Sequence, residues 1–365
     1  MKSISLFSGA FGLDIGLEMA GIKTVLAQDI DESCVKTLKA NKINVFSGDL
    51  ATLVDSQTKC SDFLKKAQIK KSELFLVAGG PPCQSFSTAG SRDGHNDDRG
   101  KLIFKFIEVI KYLRPRFFIF ENVKGLLSIE GSTKNNVSFL SEIINAFEEI
   151  GYSTVNSVVD SVSYGAPQHR ERLIIVGSRD GEAIFIPKPT HFKMHQDPEY
   201  RWKTLRNAID PIKNLESECA RFSPVRSKYL QKVPAGGNWR DLPITLQKEA
   251  MGGAWGNNGG RSAFFRRLDF DKPSPTLTTS PVQKATTLCH PEQTRPLSVR
   301  EYMAVQGFPQ TWKLEGSMAD KYKQIGNAVP VALGKALGHM LVSVATDTYL
   351  VDSKRKDLFI KEISA

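Results

Sequence analysis

A cysteine, a glutamate and two arginines stand where they could act on one substrate. Cys83 lies in 79-GGPPCQSFS-87, directly after the apolar run 74-LFLVA-78. That run is short, nearly all apolar and closed by two glycines, the pattern of a parallel strand buried on both faces. Cys83 therefore follows a strand's carboxyl end, where open α/β sheets bind their ligands. Pro81 and Pro82 fix φ and remove two backbone donors, so the turn that aims the thiol is stiff. Most free cysteines only pack, and taken alone Cys83 reads more readily as an inert core thiol than as a nucleophile. Its surroundings change that balance. The strand 117-FFIF-120 presents Glu121 and Asn122 at its own carboxyl end. The runs 153-STVNSVV-159 and 172-RLIIVG-177 read as an antiparallel pair, so Arg170 and Arg172 precede a strand that runs backwards and face the same edge. A thiol, a carboxyl and two guanidinium groups on one sheet edge suit covalent catalysis.

The elements that position them begin with the strand 3-SISLF-7 and the glycine-rich 8-SGAFGLDIGLEMAG-21, which leads into an amphipathic helix. Strand, glycine turn and helix open a Rossmann-like unit. Glycines 9, 12 and 16 are spaced G-x-x-G-x-x-x-G, not the G-x-G-x-x-G that holds a pyrophosphate, so a nucleoside cofactor without phosphates fits better than a dinucleotide. The strand 24-TVLAQ-28 delivers Asp29, an acceptor for ribose hydroxyls, and Ile30 could lie against an adenine face. Asp49, after 45-VFSG-48, is a candidate partner for the adenine amino group; the competing reading of each acid is a solvated strand end. The stretch 88-TAGSRDGHNDDRG-100 is too polar and glycine-rich to pack and reads as a mobile active-site loop. Helices are expected near 101–113, 138–149, 298–309 and 330–344, the last two packing back on the first domain.

From about residue 181 the chain becomes irregular, rich in Pro, Gly and aromatics, and reads as a smaller, loop-rich domain of short strands. Residues 182–292 carry 17 Lys and Arg against 11 Asp and Glu, so +6 of the chain's net +10 is concentrated there. That concentration favours a polyanionic partner over a general solubility bias, and the aromatics among the arginines are read as nucleic-acid contacts in preference to a small core. The expected divisions are 1–180, a catalytic and cofactor domain; 181–294, the second domain; 295–345, helices completing the first; and 346–365, a tail.

With 365 residues, 41% of them apolar, the chain can bury one large core and a smaller second one. No apolar run approaching the roughly 20 residues of a membrane span is expected, nor a signal peptide, so the expected location is the cytoplasm. Five cysteines without a C-x-x-C pair argue against a disulfide framework and a structural zinc site; no metal is expected.

In order, 6-LFSGAFGLDIGLEMAG-21, 79-GGPPCQSFS-87, 121-ENV-123, 168-QHRER-172, 295-RPLSVREYMAVQGFP-309 and 324-QIGNAVPV-331 resemble the motifs of the DNA (cytosine-5)-methyltransferases, over residues 6 to about 345. The resemblance implies an α/β, Rossmann-like methyltransferase fold with a mixed, mostly parallel sheet, plus a target-recognition domain in the irregular segment. It implies S-adenosylmethionine as donor, S-adenosylhomocysteine as product, and cytosine in double-stranded DNA as acceptor. Cys83 is then the nucleophile on carbon 6, Glu121 the residue holding or protonating ring nitrogen 3, and Arg172 with Arg170 the contacts to base and adjacent phosphate. Phe7, Gly9, Gly12, Asp29, Ile30, Asp49, Pro82 and Asn327 would line the donor site, and Gln84, Ser87, Arg99 and Gln168 would meet the DNA. The bacterial restriction-modification type is the nearest pattern, implying a cognate restriction endonuclease as a functional partner, a monomer, and association with the nucleoid. A tRNA-methylating relative would carry a Cys-Phe-Thr stretch that is absent here, and a catalytically silent DNA-binding relative is disfavoured by intact Cys83, Glu121 and Arg172. Two departures stand out. The family often has an acid at Ser5 and a second glycine at Phe11, which puts donor affinity in question.

Overall fold

Apolar runs that end in polar residues become the strands of one sheet, and those polar ends line its edge. The computed structural model describes residues 1–53, 57–82, 98–129, 138–255 and 263–348. The strands are β1 (Lys2–Leu6), β2 (Lys23–Asp29), β3 (Val45–Ser47), β4 (Leu74–Gly79), β5 (Phe117–Val123), β6 (Ser153–Asp160) and β7 (Glu171–Ser178). Their order is β3-β2-β1-β4-β5-β7-β6. The strands from β3 to β5 pair in parallel, whereas β7 is antiparallel to both β5 and β6. The chain moves outward from β1 to β3 and then returns to β4 on β1's other side. This reversal opens the crevice where such sheets hold ligands.

The helices are α1 (Gly12–Met19), α2 (Glu32–Ala40), α3 (Leu50–Leu53), α4 (Gln57–Ala67), α5 (Asp98–Leu113), α6 (Phe139–Glu149), α7 (Leu205–Ile209), α8 (Pro224–Leu230), α9 (Ile244–Met251), α10 (Val299–Gln306), α11 (Met318–Asn327) and α12 (Val331–Ala345). Strand alternation sends Ile4, Leu6, Val77, Phe118 and Phe120 into the core shared with α4, α5 and α6. Leu76, Ala78, Phe117 and Ile119 face the opposite core, built with α1 and α12. Both faces are covered, as the continuous apolar runs require.

Helices α1 and α12 approach so closely that a Cβ on Gly16 would collide with the Val331 carbonyl, and one on Gly334 with the Leu13 carbonyl. The stretch Met318–Ala345 is long and apolar enough, by length and composition, to cross a membrane, contrary to the sequence expectation, yet 61% of its most apolar window is buried inside the protein. It is apolar because α12 is a core helix, covered by α1 and the sheet.

The second lobe differs from its expected form. Among the described residues of 182–292 no strand forms; there are α7, α8, α9, short 3-10 turns and isolated bridges such as Arg267 with Cys289. Buried Arg267 replaces a strand ladder, donating to the carbonyls of Val233, Leu230, His290 and Gln293. One guanidinium thereby satisfies loop carbonyls that a strand would have paired. Tyr229, Trp239 and Phe265 form this lobe's small core with Leu230 and Met251, so these aromatics pack and do not face a nucleic acid. The expected boundary at 181 is not a break in packing: Leu205 and Ile209 of α7 belong to the core of α10 and α11. The tail 352–365 lies outside the described residues.

Candidate active site

The turn after β4 is pressed against β5. A Cβ on Gly79 would meet the Leu6 carbonyl 2.5 Å away, and one on Gly80 would lie 2.5 Å from Glu121 Oε2. Glycine is therefore required at both positions, and the missing side chain of Gly80 lets the backbone run beside a carboxylate. Asn122, itself buried, donates from Nδ2 to the Pro81 carbonyl at 3.1 Å, tying the proline pair to β5. Pro82 is half-buried at the end of this tether. Cys83, Gln84 and Ser87, the loop 88–97 and the side chain of Arg99 lie outside the described residues; Cys83 follows Pro82 directly in sequence.

Glu121, on β5, is 8% exposed. Arg172 Nε pairs with its Oε1 at 2.7 Å. This buried pair is compensated at one carboxylate oxygen and leaves Oε2 toward the turn. Arg172 also lines a cavity of about 490 Å³ with Val123, Lys124, His169 and Thr276. His169 and Thr276 also line a second cavity of about 460 Å³ that reaches Asn238, Arg266 and Lys272 of the second lobe. The two openings form a cleft between the lobes, leading to the Glu121–Arg172 pair. Along it Lys124 is paired with Glu171 and Lys272 with Asp269, and His169 Nδ1 lies 2.8 Å from Asp160 Oδ2. Arg266 has no carboxylate beside it among the described residues, and partial burial pulls its pKa below the ordinary value.

Two residues expected at the substrate are placed inside the protein. Gln168 is fully buried, donating from Nε2 to Gln306 Oε1 and the Val305 carbonyl and accepting from Leu277 N–H. Arg170 is 1% exposed and donates to the carbonyls of Leu277, Gly326 and Asn327. Burial, then the neighbouring Arg172, pushes the Arg170 pKa down to about 9. Neither side chain is placed to meet a phosphate. Instead, they tie the segment leading into β7 to the second lobe, to α10 and to α11, next to Arg172.

The other half of the site lies at the ends of β1, β2 and β3. Phe7 and Gly9 adopt left-handed φ of 52° and 53°. A Cβ on Gly9 would have nothing within 4 Å, so the loop borders open space. Asp29 Oδ2 accepts from Gly9 N–H at 2.7 Å and Oδ1 from Asp31 N–H at 2.9 Å. Burial raises the Asp29 pKa despite these bonds. Ile30 is 64% exposed beside it. Asp49 caps α3 by accepting from Ala51 N–H. Asn327 is exposed at the end of α11. Gly12, expected at the cofactor, is buried with its free side against the Val329 carbonyl, so packing of α1 explains that glycine.

Sequence reading missed Gln28. Its Oε1 accepts from Phe7 N–H at 3.2 Å and its Nε2 donates to the Gly48 carbonyl at 2.6 Å, joining the first loop to the third. A glutamine closing an otherwise apolar strand was the available signal. Phe11, the other departure from the family pattern, is accommodated by packing. It holds φ at 77°, a conformation costing about 1–2 kcal/mol for a residue with a Cβ. Its ring is fully buried and stacks on Trp312 at 5.8 Å and 5°. Burying a phenylalanine contributes about 2–3 kcal/mol, enough to offset the strain.

Solved structures of a prophage-encoded DNA modification methyltransferase of E. coli (TM-score 0.65, 21% identity, covering 95% of this chain and 99% of that one) and of S. pombe Dnmt2 (0.64, 17%, 94% and 98%) share the fold. Among curated relatives, the Type II methyltransferase M.Eco47II of Escherichia coli is 40% identical over 357 residues, 93% of this chain and 79% of the relative. M.Sau96I of Staphylococcus aureus is 37% identical over 339 residues, 92% and 74%. The family model for C-5 cytosine-specific DNA methylases matches residues 1–343, and the chain belongs to that family.

Proposed function

We propose that this DNA cytosine-5 methyltransferase uses S-adenosylmethionine to methylate one cytosine within a specific duplex sequence, through a covalent bond from Cys83 to carbon 6. The observation that carries the reading is the Glu121–Arg172 pair held against Gly80, three residues before Cys83 in sequence. The donor's fit is supported by the open space at Gly9, the Asp29 carboxylate and the exposed face of Ile30, with Asp49 and Asn327 at the neighbouring loop ends. When bound, S-adenosylmethionine supplies an electrophilic methyl group and ends as S-adenosylhomocysteine.

Carbon 5 of cytosine is a weak nucleophile. Adding the Cys83 thiolate at carbon 6 makes the ring an enamine, and cysteine is a few per cent thiolate near neutrality even at its ordinary pKa. Glu121 protonates or holds ring nitrogen 3 and disperses the charge entering the ring. Carbon 5 then takes the methyl group; loss of its proton to water re-forms the 5,6 double bond and expels the Cys83 thiolate, while nitrogen 3 returns its proton to Glu121. Because carbon 6 is closed off in a stacked duplex, the cytosine is flipped out, at a cost of a few kcal/mol that protein–DNA contacts offset.

The acceptor is DNA and not tRNA on the strength of the family match and of relatives named Type II methyltransferases. Their names also support a role as the modification partner of a restriction endonuclease; the reading adds a monomer that works in the bacterial cytoplasm on nucleoid DNA. Bisulfite sequencing of DNA from cells expressing the protein tests the reading: one short motif with a protected cytosine supports it, whereas unmethylated DNA beside methylated tRNA overturns it. Exchanging residues 181–294 for the equivalent segment of a relative with another specificity is expected to move the methylated motif with the segment; a motif that stayed with residues 1–180 would refute the recognition role.

Arg266, which no carboxylate accompanies among the described residues, is assigned to a DNA phosphate in the cleft. Arg266→Ala is expected to weaken DNA binding by about tenfold for all sequences alike, and to reduce the slope of log affinity against log salt by about one. Relaxed specificity at one base pair with an unchanged slope would instead mark a base contact.

A further inference from the structure

A carboxylate buried behind the donor loop is connected to that loop by two hydroxyls. Asp14, in the first turn of α1, is 2% exposed. Its Oδ2 accepts from Ser5 Oγ at 2.8 Å, and Ser5 Oγ accepts from Ser8 Oγ at 2.9 Å. Ser8 Oγ also lies 3.2 Å from the Gln28 carbonyl and accepts from Gln28 N–H at 3.2 Å. Ser8 immediately precedes Gly9, whose N–H is held by Asp29. The other oxygen of Asp14 accepts from Thr24 Oγ1, which in turn accepts from Ser3 Oγ. Where the family often carries an acid at position 5, this chain has a serine, and α1 returns a carboxylate to the same place from the opposite side.

We propose that Asp14 is a positioning residue for the donor-binding loop, acting through the Ser5–Ser8 hydroxyl relay to set which way Ser8 donates beside Gly9. The relay has two senses. With Asp14 ionised, Ser5 donates to the carboxylate and Ser8 donates to Ser5. With Asp14 protonated, the carboxyl donates to Ser5, Ser5 to Ser8, and Ser8 to the Gln28 carbonyl. Each donor keeps an acceptor in both senses, so the loop stays bonded while its polarity reverses.

Burial, the largest cause, raises the Asp14 pKa to about 7 against the hydrogen bonds of Ser5 and Thr24, with Glu18 one turn along adding repulsion. The other charged groups nearby are accounted for. Lys23, at the start of β2, acts on Glu18. Lys2 of β1 pairs with Glu73, and Lys335 and His339 of α12 are exposed. Asp29 shares the loop and is itself raised by burial, which makes it the competing titrating group.

The inference rests on S-adenosylmethionine being the donor. That molecule carries a net positive charge; ionised Asp14 draws the Ser5 proton to itself and the Ser8 proton to Ser5, turning the negative end of the Ser8 hydroxyl toward the loop, so binding tightens through the relay as pH rises through about 7. Calorimetric titration of S-adenosylmethionine into the full-length protein between about pH 6 and 8.5 is expected to show the wild-type Kd falling about tenfold, the equivalent of one pK unit of coupling. Asp14→Asn is expected to flatten that step and hold Kd near the wild-type value at about pH 6. Ser8→Ala, which leaves Asp14 and its burial intact, is expected to flatten the step as well.

Thermal unfolding of the donor-free proteins provides a second readout. Because folding raises the Asp14 pKa, its ionisation costs stability from the ordinary carboxylate range up to about pH 7 and no more above it. Wild type and Ser8→Ala should therefore lose Tm relative to Asp14→Asn over that range and run parallel beyond it. A step in Kd retained by Asp14→Asn would assign the titration to Asp29 and overturn the proposal. A step lost in Asp14→Asn but kept in Ser8→Ala would overturn the relay. Failure of wild type to bind S-adenosylmethionine at any pH would instead remove the donor assignment.

Discussion

Cys83→Ser will reduce methyl transfer to DNA by at least about a thousandfold while leaving DNA affinity within a few-fold of wild type. A serine hydroxyl is essentially un-ionised near neutrality and is a hard nucleophile, whereas a thiolate is soft and already present at a few per cent. The scaffold gives the substitution little else to disturb. Gly79 and Gly80 are held against β1 and Glu121, and Asn122 anchors the Pro81 carbonyl, so the turn entering position 83 is set by residues the mutation leaves alone. Transfer of a radiolabelled methyl group and an electrophoretic mobility shift on the same duplex measure the two effects. A third reading isolates the covalent step. With 5-fluorocytosine at the target, carbon 5 has no proton to lose, so wild type should remain bonded to DNA after denaturation and Cys83→Ser should not. Residual turnover above about one per cent, or a denaturation-resistant complex formed by the serine variant, would remove Cys83 from its role.

The sheet and the carboxylate edge were legible because strands buried on both faces read as unbroken apolar runs, and the residue that ends each run must face the crevice. Asp29 after 24-TVLAQ-28 ends β2, whereas Glu121 after 117-FFIF-120 lies two residues inside the end of β5, which its pairing with β7 carries on to Val123. Arg170 and Gln168 did not yield to it. An arginine that meets a phosphate and one that satisfies buried carbonyls are the same residue in sequence; only the fold decides which carbonyls lack partners. Here the breaks at Leu277 and at Gly326–Asn327 leave carbonyls to be filled, and Arg170 is spent on them. Arg267 repeats this in the second lobe, which is why expected strands were replaced by loops around a guanidinium. The aromatics of that lobe were misread for a related reason: a domain with so few apolar residues needs Tyr229, Trp239 and Phe265 for its core before it can offer any to a ligand.

The same division between holding and reacting explains the arginines of 168-QHRER-172. Arg170 is fully enclosed, and Arg172, two residues along at the start of β7, emerges at the cleft. Burial, and after it the charge of Arg172, pushes the Arg170 pKa down to about 9. Glu121 offsets that repulsion through its pair with Arg172. The carboxylate therefore has a structural task beside the chemical one proposed for it, and a substitution that separates them is informative.

Glu121→Gln is that substitution. The glutamine side chain keeps the shape of the carboxylate: its oxygen can accept from Arg172 where Oε1 does now, at 2.7 Å, and its amide nitrogen takes the place of Oε2 beside Gly80. From there it can donate a hydrogen bond to ring nitrogen 3 but cannot transfer a proton to it. General acid catalysis typically contributes about 10²–10⁴-fold, so kcat should fall within that range while KM for DNA and Kd for S-adenosylmethionine change by less than about threefold. Loss of the charge leaves Arg172 without its counter-ion at a largely buried site, and a cost of about 1–3 kcal/mol in stability is expected, visible as a lowered Tm. Thermal unfolding separates that cost from the chemistry, because a protein that is fully folded at the assay temperature but slow has lost catalysis and not structure. Trapping on 5-fluorocytosine should slow in proportion to kcat, since the proton is needed as the thiolate adds. An unchanged kcat would deny Glu121 its acid role, and a slowed kcat with undiminished trapping would move that role to a step after Cys83 has bonded.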